Sequence, residues 1–265
     1  MSQRLPLGLY EQLLDEELQE QIASVPALRS VLRQIDDEAA PYSYAQFVAR
    51  LVQHSMRQVD TTDRIPLLNR LIDLLSDQDG LGYLKRKRLL AIPNSVLTEV
   101  SRQDRTNPRP ITPLSSSTLL TGQGGDPSLE HELRTEMITA DRVDILVSFI
   151  KWSGLRLLIP AFEDLAERNV PVRVLSTSYM GASDPPALEW LAKQSNIDVR
   201  LSYDTAGTRL HAKAYHFWRN SGFSTGYIGS ANLSHAAMTQ GLEWTVKVTA
   251  QDMLHILDRF AAEFA

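Results

Sequence analysis

Apolar residues at helical spacing dominate the first hundred positions. In GLYEQLLDEELQEQI the series Leu9, Leu13, Leu14, Leu18 and Ile22 predicts a helix with one buried face, and IPLLNRLIDLLSDQDG repeats the pattern before a glycine stop. Residues 1–105 therefore read as an all-helical region. Within it, Lys85, Arg86, Lys87 and Arg88 form a basic run. This is either a solvated helix face or a contact for nucleic-acid phosphates.

The pattern breaks at RQDRTNPRPITPLSSSTLLTGQGGDPS, where proline, serine, threonine and glycine crowd together. Residues 106–127 read as a linker or a long surface connection. From 128 to 265 apolar runs of strand length alternate with helical ones. SLEHELRTEMITA, LRLLIPAFEDLAERN and PALEWLAKQS predict helices, and VDILVSFI, VPVRVLSTS and IDVRLSY predict strands. Such alternation implies βαβ units and an α/β domain with parallel strand pairs. The connections then shorten. RLHAKAYHFWR and FSTGYIGSAN are separated only by NSG, which predicts a hairpin, and LEWTVKVT adds a strand before the closing helix DMLHILDRFAAEF. The predicted sheet is therefore mixed and flanked by helices.

Composition narrows the function classes. The 265 residues are 43% hydrophobic, enough for a real core, and the absence of cysteine removes disulfides, thiolate metal sites and thiol nucleophiles. No apolar run approaches the ~18 residues of a membrane span, and the N-terminus lacks a signal-type apolar segment. The expectation is a cytoplasmic protein with no membrane partner. Net charge is −5, with 14 basic against 15 acidic residues in 1–109 and 13 against 17 in 110–265. Neither half carries a broad positive field, so a polyanion would have to be handled in a local cleft.

The chemistry concentrates in the hairpin. Read as one strand, TRLHAKAYHFW places Arg209, His211, Lys213 and Tyr215 on one face and Leu210, Ala212, Ala214 and His216 on the other. An imidazole and an ammonium then lie side by side, on a face expected to open to water, a ligand or a partner. Downstream, Gly229-Ser230-Ala231-Asn232 ends the second strand with short polar groups at the sheet edge, and Glu243 lies eleven residues beyond Asn232.

His211-x-Lys213, the Gly-Ser-x-Asn turn at 229–232 and Glu243 together resemble the phospholipase D superfamily, in particular its single-motif bacterial nucleases. The stretches ILVSFIKWSGLRLL, VRVLSTSYMGASD, RLHAKAYHFWRNSGF and YIGSANLS look more particularly like the phospholipase D-like domain at the N-terminus of certain bacterial superfamily 2 DEAD/DEAH helicases, some in restriction or defence systems. The resemblance covers about 113–250. It implies a DNA endonuclease that needs no metal. His211 attacks phosphorus to give a phosphohistidine, Lys213 and Asn232 hold the non-bridging oxygens, and Glu243 accepts a hydrogen bond from His211 and fixes its tautomer. Ser230, Arg209 and Tyr215 are the implied substrate contacts.

One motif supplies one histidine, whereas the family's reaction uses two, so the resemblance implies a homodimer that joins two copies of His211. No cofactor is implied. No Gly-x-x-x-x-Gly-Lys-Ser/Thr loop occurs, so ATP use would belong to a helicase portion beyond this sequence or to a separate partner. One position departs from the family pattern: Trp218 stands where an Asp is expected, five residues after the lysine. The alternative is a non-catalytic module of a helicase that binds nucleic acid or dimerises. A lipid-acting phosphodiesterase is the third reading, but no basic amphipathic segment supports it.

Overall fold

The computed structural model describes residues 6–24, 30–92, 95–101, 107–204, 210–239 and 241–264, in two compact units, Met1–Thr98 and Glu99–Ala265. The first unit is helical, with α1 (Glu16–Ala23), α2 (Ala40–Gln58), α3 (Thr61–Ser76) and a 3-10 turn at Gly82–Lys87. The helix expected from residue 8 starts later. Asp15 caps it by accepting from the Leu18 amide at 2.8 Å, and Leu9, upstream of the cap, is fully exposed. The basic run follows α3. There Lys85 lies 3.5 Å from Asp77 and Arg88 pairs with Asp73, so half of it is matched by acids of the same unit.

The second unit is built on a seven-stranded mixed sheet in the order β1-β7-β6-β5-β2-β3-β4. The strands are β1 (Thr118–Leu120), β2 (Arg142–Val147), β3 (Val172–Thr177), β4 (Ile197–Ser202), β5 (Lys213–Trp218), β6 (Thr225–Gly229) and β7 (Thr245–Thr249). β2, β3 and β4 run parallel, and every other neighbouring pair is antiparallel. The alternating half of the sequence thus becomes the parallel half of the sheet, and the hairpin half becomes the antiparallel one.

Helices α4 (Leu129–Thr139), α5 (Trp152–Glu167), α6 (Pro185–Ala192) and α7 (His235–Thr239) pack on one face, where Phe162 of α5 joins the core with Ile145, Phe217 and Tyr227 of the sheet. α8 (Ala250–Glu263) covers the other face. Under α8, buried Asp144 accepts from Arg173 Nε at 2.6 Å and lies 3.3 Å from His216 Nδ1, while the Phe260 ring packs 5.2 Å from the imidazole. Burial pushes the Asp144 carboxyl up, but His216 and Arg173 outweigh it and hold the group below its ordinary range. His216 is therefore a structural residue.

The structure differs from the sequence reading in three places. The compact second unit begins at Glu99, and the segment expected as a linker supplies β1 together with Ile111 and Thr112, whose amides donate to buried Glu132 of α4. The hairpin strand starts at Lys213, so His211 precedes it, and Arg209 lies outside the described residues. The strand face expected to open is also mostly covered: Lys213, Tyr215 and Phe217 are 5%, 2% and 1% exposed. Among the described residues of that face, only His211 is exposed.

Candidate active site

The antiparallel register brings the polar groups to one edge of the sheet. Val147 at the end of β2 pairs with Lys213 at the start of β5, Ala214 pairs with Ile228 near the end of β6, and Gly229 pairs with Thr245 at the start of β7. Four strand ends meet there, with His211, the 229–232 turn and Glu243 as their extensions. Trp218 sits at the far end of β5, opposite Arg142, whose guanidinium lies 5.6 Å from the indole centroid. The departure from the family pattern is thus at a packing position.

Lys213 Nζ lies 3.0 Å from both ring nitrogens of His211 and donates to the His211 carbonyl at 2.8 Å. Burial lowers the ammonium's pKa from its ordinary 10.5, and the Glu243 carboxylate acts in the opposite sense. Asn232 is 8% exposed and its Oδ1 accepts from the Phe149 amide at 3.2 Å. That bond joins the Gly-Ser-x-Asn turn to the loop after β2, which is joined again where the Lys151 amide donates to the Leu233 carbonyl at 2.8 Å.

Glu243 pairs with Ser230, whose hydroxyl donates to Oε2. The expected partner was His211, and no hydrogen bond between Glu243 and His211 is formed among the described residues. Ser230 thereby ties the carboxylate to the turn. Tyr215 is also corrected: its hydroxyl is buried and donates to the Ala231 carbonyl at 3.2 Å, behind the turn. Burial, with Glu243 close by, pushes the phenol far above its ordinary pKa, so Tyr215 braces the site and does not contact a polymer. His235, at the start of α7, lies 3.3 Å from Thr239 within its own helix.

Gly154 escaped the sequence reading. A Cβ there would come within 2.5 Å of both the Leu233 carbonyl carbon and the Ser234 amide, so only glycine lets α5 approach the turn. An isolated glycine inside a helical pattern was the available signal. Gly154→Ala should cost roughly 1–3 kcal/mol in a denaturant titration, by forcing apart the backbone that holds Asn232. A change below about 0.5 kcal/mol would contradict that close approach.

Residues 135–265 match the family described as cardiolipin synthase, PLD-like domain. This stretch is therefore similar to a phospholipase D-like domain. The enzyme class expected from the sequence, a phosphodiester hydrolase of the phospholipase D superfamily, agrees with that match. No curated protein matches the sequence significantly. Among solved structures, the chain is similar to NucT from Helicobacter pylori at 19% identity, over 56% of this chain and 92% of that one, with a TM-score of 0.40. Nuc from Salmonella typhimurium, a phospholipase D family member, is 18% identical over 56% of this chain and 91% of its own, with a TM-score of 0.38. The phosphatidylserine synthase of Haemophilus influenzae Rd KW20 is 15% identical over 56% and 38%, with a TM-score of 0.40. Among the described residues of the whole chain, no helix is long and apolar enough to cross a membrane.

Proposed function

We propose that the phospholipase D-like domain cleaves phosphodiester bonds of DNA through a phosphohistidine intermediate, without a metal. The observation that carries this reading is the convergence of His211, Lys213, Ser230, Asn232 and Glu243 at one edge of the sheet. A ring nitrogen of His211 forms the bond to phosphorus as the bond to the leaving oxygen breaks. Lys213 and Asn232 stabilise the charge on the non-bridging oxygens. Ser230 and Glu243 act as a pair that keeps a carboxylate beside the cationic site.

The leaving oxygen needs a proton, and the following water must give one up. Both transfers fall to a second imidazole, supplied by His211 of another copy in a homodimer. Water then replaces the imidazole at phosphorus, which frees the phosphomonoester and restores the histidine. Cytoplasmic work as the nuclease module of a helicase or restriction system, with DNA as partner, fits the low positive charge, because a motor would hold the polymer.

Purified protein incubated with plasmid and single-stranded DNA in excess EDTA at low salt tests this reading. Cutting that persists in the chelator is the expected result. Cutting that appears only with added divalent metal would overturn the mechanism, and no cutting by a protein shown to be dimeric would favour the binding-module alternative.

The lowered pKa of Lys213 adds a pH prediction. As pH rises through that pKa the ammonium is lost, so the alkaline limb of the pH-rate profile should fall below pH 10.5. Lys213→Arg, whose guanidinium stays charged, should remove the limb while lowering the plateau. A limb unmoved by that substitution would assign it to another group.

A further inference from the structure

The loop after β1 closes over a cavity beside the candidate active site. It turns at Gly122, with φ +70°, and a Cβ there would lie 2.5 Å from the Gly241 carbonyl oxygen and 3.2 Å from the Glu243 amide. Glycine at 122 therefore lets the loop cross directly over the chain that leads into Glu243. Asp126 anchors the loop, with Oδ2 accepting from the Thr121 amide at 2.7 Å and hydroxyl at 2.9 Å. Between loop and sheet lies a cavity of about 240 Å³, lined by Gln123, Asp126, Met238, Glu243 and Thr245 among others.

Thr245 makes this more than a fold in the surface. The residue is 3% exposed, and its buried Oγ1 has no hydrogen-bond partner. Gly229 on the paired strand leaves room for that hydroxyl, since a Cβ there would sit 2.7 Å from it. A buried hydroxyl without a partner is costly unless a ligand completes it.

The size, charge and polarity of the cavity select a ligand class. Its volume is below the roughly 300–1,000 Å³ of drug-sized sites, which suits one heterocycle. Two carboxylates repel phosphate and favour N–H donors, while Leu120, Leu129 and Met238 offer apolar surface to a ring. Guanine presents two N–H donors beside a carbonyl acceptor on one edge. A carboxylate such as Glu243 accepts from the first two, and the Thr245 hydroxyl donates to the third. Adenine and cytosine lack the ring N–H at that edge, and thymine lacks the amino group. Glu243 is bonded to Ser230 of the phosphate site, so a base held here belongs to a nucleotide at the scissile bond.

We propose that this cavity binds the guanine base next to the phosphodiester being cleaved, an inference that rests on the nuclease reading above. Titration of the full chain with guanosine, adenosine, cytidine and thymidine separates base recognition from phosphate chemistry. Guanosine is expected to bind at least about tenfold more tightly than the others, and Thr245→Val to remove that advantage. The valine variant should melt no lower than the parent, because it deletes an unpaired hydroxyl. Thr245→Ser, which keeps the hydroxyl, should retain the preference, so a merely structural effect is distinguishable. Equal affinity for all four nucleosides, or a guanosine preference that survives Thr245→Val, would overturn the proposal.

Mapping cuts in oligonucleotides with one guanine at varied positions separates the two readings. Cutting spread evenly over all bases would overturn the guanine pocket and leave the nuclease standing. No cutting of any DNA would remove the nuclease reading, while the nucleoside titration would still decide whether the cavity recognises guanine.

Discussion

Replacing His211 by alanine should lower phosphodiester cleavage by at least about 10³-fold, the scale seen when a group that forms the covalent intermediate is removed. Stability should barely change, because His211 is exposed and lies outside the strand. DNA binding should survive, since Lys213, Ser230 and Asn232 remain to meet the phosphate. A sharper version uses the intermediate itself. Quenching with alkaline detergent during turnover of end-labelled DNA should leave a phosphoryl adduct on the wild type that survives alkali and is released by acid, and none on the variant. If His211→Ala cuts within about tenfold of the wild-type rate, another nucleophile is at work and the phosphohistidine mechanism fails. Mixing His211→Ala with wild type adds a further control. Heterodimers with one functional histidine should be as impaired as the homodimeric variant, because attack and proton transfer need both imidazoles.

Much of this domain was legible in its sequence, and the failures have physical causes. The helix-strand alternation from 128 onward gave the parallel strands, and the short NSG connection gave the hairpin, because both signals are local. The carriers of the proposed chemistry, His211, Lys213, Ser230, Asn232 and Glu243, were legible as types at a spacing. Their partners were not, because a hydrogen bond between Glu243 and Ser230 depends on where the chain bends between residues 232 and 243. Tyr215 was misread because strand parity gives a face but not what covers it. The segment 106–127 was misread for a different reason. Its proline, serine and glycine content describes exposed turns correctly, but the contacts of Ile111 and Thr112 with Glu132 span 21 and 20 residues, beyond any local pattern.

Glu136→Ala should be the most destabilising single change in the second unit, costing about 3–5 kcal/mol. Glu136 is fully buried. Its Oε2 accepts from Arg219 at 2.6 Å and Thr225 at 2.8 Å, and its Oε1 accepts from Lys247 and Tyr227, both at 2.9 Å. Lys247, equally buried, also donates to the Thr112 carbonyl at 3.1 Å and hydroxyl at 2.8 Å, and lies 3.9 Å from Glu132. Two carboxylates therefore face two cations in a buried layer between α4, β7 and the 111–112 segment. Removing Glu136 strands both cations, a cost that is a large part of the ~5–15 kcal/mol that holds a domain together. Lys247→Met added to Glu136→Ala should recover part of the loss, because it withdraws one of the stranded charges. No recovery in urea titrations of the double variant would show that the two residues do not form one unit. The acid response has a defined sign. Burial pushes the Glu136 carboxyl up, but Arg219 and Lys247 outweigh this and hold it below its ordinary 4.5. Its contribution is then fully present above about pH 4.5 and is lost as pH falls through the lowered folded-state value. Glu136→Gln, which cannot titrate, should be much less stable near neutrality and should lose less between pH 5 and pH 3. Parallel slopes for the two proteins in that window would mean that other carboxylates set the acid limit. Because Lys247 lies two residues beyond Thr245 and four beyond Glu243, loosening this network should also blur the proposed guanine pocket. The double variant should therefore recover fold stability before it recovers any discrimination between nucleosides.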